Sequence, residues 1–391
     1  MIFRRMTLAA LAAIMIPALA QAASDVSNSS GAANVATATA VGAIASTQTA
    51  TIISGAATGG FTFGGGAGGF SGGGTGGFTG GGTGGFSSGG TGGSGGFNTG
   101  TGGSGGFGSS GNPDLKPQSY TPGTGSGRVT SQSIGDAGVS NGLWGQALYA
   151  HINKTETGLE MRGNVYNGLV GFDHRFMNDY LVGVSTGYEY VDIDTRFNHG
   201  SYKSDGISLV PYAAITLTPN WTWDAGAGYT WLNYHSTSQY DTVKSDYDGG
   251  RWIGTTSMTG SYAWENWRAQ LKTSLLYSRE HQNSYYDTSH SWNDAATLSL
   301  GRLSTGGKFG YAVGDFLPYV KVMAEWDFLR PGAVVKGNNQ LSHVDDGGGV
   351  AGLGLEYNAN GVTSSLEVDN NSVMRKDMDV WAVIARLRWE W

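Results

Sequence analysis

From Leu143 to Trp391 the chain alternates apolar and polar residues in long runs, and no other feature constrains its fold as much. In Trp221–Tyr234 the odd positions are Trp221, Trp223, Ala225, Ala227, Tyr229 and Trp231, set against Thr222, Asp224, Gly226, Gly228 and Thr230. In Trp267–Glu280 one face carries Trp267, Ala269, Leu271, Thr273, Leu275 and Tyr277. The other carries Arg268, Gln270, Lys272, Ser274, Ser278 and Glu280, and only Leu276 breaks the pattern. A third run sets Phe316, Val320, Val322, Ala324, Trp326 and Phe328 against Tyr319, Lys321, Met323, Glu325 and Asp327. A period of two means β-strands, and these exceed the five or six residues usual in soluble sheets.

A soluble sandwich also alternates, but it buries Val, Ile, Leu and Phe at mid-strand. Here the aromatics gather at strand ends, as they do at the two interfaces of a membrane. Connections alternate in length as well. Short turns are predicted at Met177–Asp179, Thr218–Asn220, Trp264–Asn266, Ala312–Asp315 and Asn358–Gly361, and long polar loops near 153–163, 194–205, 236–250, 281–294, 329–347 and 370–377. Eleven connections make twelve antiparallel strands, with both chain ends of the barrel on the short-turn, periplasmic side. Hydrocarbon offers no partner to a bare N–H or C=O, so such a sheet must close on itself. The charged face must then line the lumen, because a cation at the lipid-facing midplane costs about 2–4 kcal/mol. The lumen-facing charges expected on this basis are Arg268, Lys272, Lys321, Glu325, Arg386 and Arg388. The fold class is all-β: a twelve-stranded antiparallel transmembrane β-barrel preceded by a disordered Gly-rich arm.

The remainder of the chain is different in kind. Of 67 glycines, 29 fall between Gly59 and Gly108, and no charged residue occurs between Asp25 and Asp114. All 12 tryptophans lie from Trp144 onward. Residues 1–22 read as a secretory signal peptide: Arg4 and Arg5, an apolar Leu8–Leu19, and Ala20-Gln21-Ala22 for cleavage. Residues 23–111 form the arm, first Ala/Thr-rich and mildly β-prone over 32–58, then a loose Gly-Gly-Phe repeat with Phe70, Phe78, Phe86, Phe97 and Phe107. Such a sequence buries too little apolar surface to offset the entropy of ordering it, so it reads as a tether with aromatic stickers. Residues 112–141 are a polar linker that the lumen has room for, and 142–391 are the barrel. Beyond the signal no apolar stretch is long enough for a spanning helix.

The last strand, Asp379–Trp391, places Trp381, Val383, Leu387, Trp389 and Trp391 on one face and Arg386, Arg388 and Glu390 on the other. An alternating strand ending in an aromatic residue resembles the C-terminal signal read by the barrel assembly machinery. Leu143-Trp144-Gly145-Gln146-Ala147-Leu148-Tyr149, Tyr166–Phe176, Leu181–Tyr188 and Leu275-Leu276-Tyr277-Ser278-Arg279 resemble, in order, the first, second, third and seventh strands of the autotransporter β-domain, the translocator of type V secretion. The resemblance covers residues 142–391. It implies an outer-membrane barrel that carries its N-terminal passenger to the cell surface, with outer-membrane lipid, the assembly machinery and periplasmic chaperones as partners, and a monomer as its state.

Several other chemistries are set aside. The chain has no Cys, which excludes disulfides, zinc-thiolate sites and cysteine catalysis. The seven histidines lack metal-ligand spacing, so neither a metal nor a cofactor is expected. Ser140-Asn141-Gly142 resembles the nucleophile segment of the outer-membrane phospholipase, but Gly138 stands where that segment needs His, and no enzyme is expected. Residues 1–140 balance to +1 and the rest to −8, so nucleic acid is not a partner. Two rival functions stay open on the sequence alone: a small diffusion pore with a periplasmic arm, and a surface adhesin.

Overall fold

The structure, a computed structural model, describes residues 37–38, 139–176, 179–331, 343 and 345–391. Among them, twelve long strands form one closed barrel. They are β1 (Val139–Lys154), β2 (Met161–Phe176), β3 (Tyr180–Thr195), β4 (Gly200–Thr218), β5 (Trp221–Ser238) and β6 (Val243–Trp264). There follow β7 (Trp267–Gln282), β8 (Ala296–Tyr311), β9 (Phe316–Leu329), β10 (Gly347–Ala359), β11 (Val362–Val373) and β12 (Met378–Glu390). Every strand pairs antiparallel with its sequence neighbours. The barrel closes where β1 meets β12, in a register running from Gly142 opposite Glu390 to Lys154 opposite Met378.

The strand alternation sorts side chains to two sides of this wall. Outside, every strand presents a large apolar residue: Leu143, Val170, Val184, Leu209, Trp231, Trp252, Leu271, Phe309, Val322, Leu353, Leu366 and Leu387 are all exposed. Inside lie Asp173, Glu189, Arg251, Glu280, Arg302, Glu367 and Arg388, all buried. The distribution is that of a soluble protein turned inside out, the arrangement that lipid on the outside requires. Leu276, out of step in the sequence, faces inward and packs with Ile253 and Leu300.

Aromatic residues form two belts. At the short-turn rim Phe176 stacks on Tyr180 (5.7 Å), Trp267 on Phe309 (4.9 Å), and Trp389 lies beside Trp391 (4.5 Å). Nearer the loops Tyr149 meets Tyr166 (5.3 Å) and Tyr229 meets Trp252 (4.9 Å). On β9 the belts are marked by Phe316 and Trp326. That interval of ten residues, at a rise of about 3.3 Å and a tilt of about 40°, spans about 25 Å of membrane normal, the height of an outer-membrane apolar band.

The short turns fall where the sequence places them; Asn360 and Gly361, both at positive φ, make a two-residue hairpin. Several expected long loops are much shorter. Residues 194–205 hold only a four-residue turn between Thr195 and Gly200, and 236–250 only the turn between Ser238 and Val243. The strands continue past the hydrocarbon because the ladder still satisfies their backbone, while both faces there are wet and the alternation that marks a strand fades. The wall is consequently uneven: β4, β5 and β6 have 19, 18 and 22 residues, whereas β10, β11 and β12 have 13, 12 and 13.

Candidate functional site: the barrel lumen

Four groups of polar side chains cross the interior. At the short-turn end the Trp144 indole donates to the Tyr212 hydroxyl (2.6 Å), which donates to Asp173 (2.8 Å). Arg388 forks onto the same carboxylate, from Nη1 at 2.9 Å and Nη2 at 2.7 Å. The two aromatic rings lie flat on the wall because glycine stands opposite each: Trp144 over Gly171 and Tyr212 over Gly183, where an added Cβ would collide with the ring.

At mid-height, Glu367 of β11 is fully buried and accepts from Lys308 (2.7 Å), Lys321 (2.9 Å), Tyr319 (2.6 Å) and Arg386 (3.4 Å). Lys321 also reaches Asp369 (2.6 Å), and Arg386 donates to Gln146 (3.0 Å). Nearer the loops, Arg251 of β6 binds Glu280 (2.8 Å) beside it and Glu189 of β3 (2.9 Å) across the interior. Opposite them Arg302 and Arg375 share Glu325 and Asp327, at 3.1 Å and 3.0 Å for the two contacts to Glu325. Some of these pairs, such as Arg251–Glu280 and Arg302–Asp327, join neighbouring strands; others, Arg388–Asp173, Arg251–Glu189, Lys308–Glu367 and Lys321–Glu367, are chords between strands that are not neighbours. Taking both charges of a buried pair out of water offsets much of their attraction, yet deleting one partner costs about 3–5 kcal/mol, so each chord fixes the geometry of the wall.

Above and beside the chords lies an apolar cup. Leu148, Ala150 and Ile152 of β1, Met161 and Val165 of β2, Val191 and Ile193 of β3, and Val380, Ala382 and Ile384 of β12 are buried together on the loop-side half of the interior. Ile152, Val165, Val191 and Ile193 are 0% exposed. Removing each such side chain from water is worth about 1.5–3 kcal/mol. Ala38 belongs to this buried cluster; it and Thr37, which is also fully buried, have helical backbone. An aromatic ladder continues the cup around the wall: Tyr202 to Tyr234 (6.0 Å), Tyr234 to Tyr247 (4.7 Å), Tyr247 to Tyr285 (4.2 Å). Tyr285 comes from the β7–β8 connection, where Tyr285–Tyr286 pairs with Trp292–Asn293.

The outer rim is stitched from turn to turn by backbone hydrogen bonds. Thr155 N donates to Asp377 O, Arg196 N to Glu160 O, Gln239 N to Asn198 O and Thr288 N to Lys244 O, each at 2.9 Å. His343 N reaches Glu156 Oε1 (2.6 Å) from the β9–β10 connection.

A closed twelve-stranded barrel, apolar outside and threaded by chords inside, invites comparison with outer-membrane translocators. Residues 143–369 match the family model of the autotransporter β-domain. The chain belongs to that family. Two solved structures share the fold of this autotransporter barrel. One is the translocator domain of autotransporter NalP from Neisseria meningitidis, 12% identical with a TM-score of 0.52, over 66% of this chain and 89% of that one. The other is the β-domain of the Bordetella autotransporter BrkA, 17% identical with a TM-score of 0.50, over 64% of this chain and 100% of that one. At such identities the likeness is one of fold. No curated protein matches the chain in sequence. The autotransporter barrel resides in the bacterial outer membrane, with its apolar circumference against lipid.

Within this autotransporter the residues singled out in sequence occupy distinct places. Lys321, Glu325, Arg386 and Arg388 belong to the chords described above. Arg268 is buried at the short-turn rim, donating to Glu265 O (2.7 Å) and Trp267 O (2.9 Å). Lys272 is half-buried on the same face and belongs to none of the four groups. Trp381, Val383, Leu387, Trp389 and Trp391 are exposed on the outer face. Asp173, Glu189, Arg251, Arg302 and Glu367 were not singled out; their signal is the parity of their positions within alternating strands. Residues 1–22 lie outside the described residues, as do 59–108 and 112–138, while Val139–Asn141 are the first residues of β1.

Proposed function

We propose that this barrel is the outer-membrane anchor and translocator of its own N-terminal arm, which it displays at the cell surface. The observation that supports this reading is the burial of Ala38, a residue of the arm, among side chains of the lumen, next to the equally buried Thr37. The rival, a diffusion pore, is disfavoured by chords such as Arg251–Glu189 that cross the space an open channel would need. The C-terminal face of Trp381, Val383, Leu387, Trp389 and Trp391 serves as the signal for the barrel assembly machinery, and periplasmic chaperones escort the chain there. Each of the twelve strands turns at least one large apolar residue outward, so lipid covers this circumference, and the working state is a monomer.

Because the chain has no Cys, a Ser88→Cys variant carries a single thiol. Labelling it with a membrane-impermeant maleimide on intact cells tests display. Labelling comparable to that of a thiol placed in an outer turn, such as at Tyr240, is expected. Labelling only after the outer membrane is breached would place the arm in the periplasm and overturn the reading.

A further inference from the structure

Above the loop-side belt, the outer surface of β6, β7 and the connection after β7 carries a vertical strip that neither the lumen nor lipid tails explain. Arg279 of β7 stands directly opposite the belt residue Trp252 and is exposed on the outer face. Among the described residues it joins no ion pair and no side-chain hydrogen bond. His281 follows on the same face, bonded to Thr297 (3.1 Å), and then Asn283, whose amide donates to Asp248 (3.1 Å). Beyond them the connection runs along the free edge of β6, held by Asn283 N to Asp248 O and Thr288 N to Lys244 O, both 2.9 Å. It turns Tyr285 in onto Tyr247 and leaves Tyr286 and Trp292 exposed, at 66% and 52%, as a ring pair 4.7 Å apart. The Asp287 carboxylate fixes the turn by accepting from Ser289 N (2.9 Å), Ser289 Oγ (2.6 Å) and Ser291 N (2.9 Å). Trp292 Nε1 donates to Asp294 (2.7 Å), which fixes the indole.

Height decides what can reach these rings. Asp248 and Lys244 lie four and eight residues beyond Trp252 along β6. At a rise of about 3.3 Å and a tilt of about 40°, the ring pair between them stands about 10–20 Å above the belt. A phospholipid headgroup layer is about 5–8 Å deep and falls short of it. A saccharide headgroup spans the interval. It brings phosphate to a guanidinium at the membrane edge, and sugar C–H faces to the negative faces of two aromatic rings. We propose that this strip binds a phosphorylated glycolipid of the outer leaflet, with its phosphate on Arg279 and its saccharide on Tyr286 and Trp292. The inference rests on the barrel's place in the membrane, loops outward, and not on display of the arm.

The test uses the full-length barrel in detergent micelles. It is titrated with fluorescently labelled lipopolysaccharide of lipid A and core sugars, with the same material after phosphatase treatment, and with phosphatidylglycerol. Arg279→Gln is expected to weaken binding of the intact glycolipid about tenfold and to leave the dephosphorylated form unchanged. Tyr286→Ala with Trp292→Ala is expected to weaken both glycolipid forms about tenfold and to leave phosphatidylglycerol unchanged. Arg162→Gln, which changes an exposed outward cation on β2, is the control and is expected to bind like the parent. All four positions are exposed, and a heat-modifiable gel band verifies that each variant is folded. Parent-like binding by Arg279→Gln, an equal loss in Arg162→Gln, or phosphatidylglycerol bound as tightly as the glycolipid would each overturn the proposal. Every one of these results leaves the Ser88→Cys labelling free to report on display by itself.

Discussion

Arg388 on the last strand and Asp173 on the second reach each other over the top of the first. Their bidentate pair, at 2.7 and 2.9 Å, straddles β1 at Gly142, whose direct partners are Asp173 on one side and Glu390 on the other. A side chain at 142 would collide with both the guanidinium and the carboxylate. The seam at which the barrel closes is thus pinned from inside by one ion pair bridging three strands.

Asp173→Ala should therefore weaken closure. It leaves the Arg388 guanidinium buried beside Glu390 without its second carboxylate, and loss of one partner in such a pair costs about 3–5 kcal/mol. The folded barrel's band on a semi-native gel should convert to the unfolded position at a lower temperature. A double variant, Asp173→Leu with Arg388→Met, should recover much of the loss.

Glu367→Gln removes the carboxylate on which Lys308, Lys321 and Arg386 converge. Three cations then face one another, with Asp369 still paired to Lys321. The denaturant midpoint in micelles should fall by the equivalent of about 3–5 kcal/mol. Adding Lys308→Met should restore part of it, since one repelling charge is gone; no restoration would mean that the pairing is not what holds this layer.

The glycines under the aromatic rings are equally testable. Gly171→Val pushes a branched side chain into the Trp144 indole, and overpacking of this kind costs about 1–3 kcal/mol. The hydrogen bond from Trp144 to Tyr212 should be lost with it, visible as a shift in the near-ultraviolet circular dichroism. Gly145→Ala, which meets only ordinary contacts, is the control.

Position within the bilayer sets the fourth outcome. Val322 lies between the belt residues Phe316 and Trp326 and faces outward. Val322→Arg should reduce the free energy of insertion into vesicles by about 2–4 kcal/mol, while Trp326→Arg, at the belt, should cost about 0–1 kcal/mol for its charge. Equal effects at both sites would contradict the depth assigned to the belts.

Trp391 closes the chain by exchanging backbone hydrogen bonds with Asn141, at 2.9 and 3.1 Å. Trp391→Ala keeps those bonds and removes the ring that packs near Phe172 and Trp389. In cells, its assembled fraction should fall while Trp391→Phe stays near the parent level. An equal defect when purified chains are refolded in the absence of the assembly machinery would assign the ring to packing alone.

The alternation at Trp267–Glu280 and Phe316–Phe328 made the strands and the inward charges legible because lipid and lumen impose opposite demands on adjacent residues. Partnership was not legible. Arg388 and Asp173 stand 215 residues apart, and parity says which way each points but not which chord it joins. The turns near 194–205 and 236–250 were misjudged for a related reason: beyond the bilayer both faces of a strand meet water, and the pattern that identifies it disappears. Thr37 and Ala38 were hidden by composition, since small uncharged residues read alike in a tether and against a wall.

The unequal strands make the outer mouth slant. The wall built by β4, β5 and β6 stands above the side formed by β10, β11 and β12, where β6 alone has ten more residues than β11. A mouth cut on such a slope behaves as a spout and not as a chimney. On the proposed reading, a displayed arm is screened on the high side and laid down toward the lipid headgroups on the low side, so its neighbours on the cell depend on the direction in which the barrel faces.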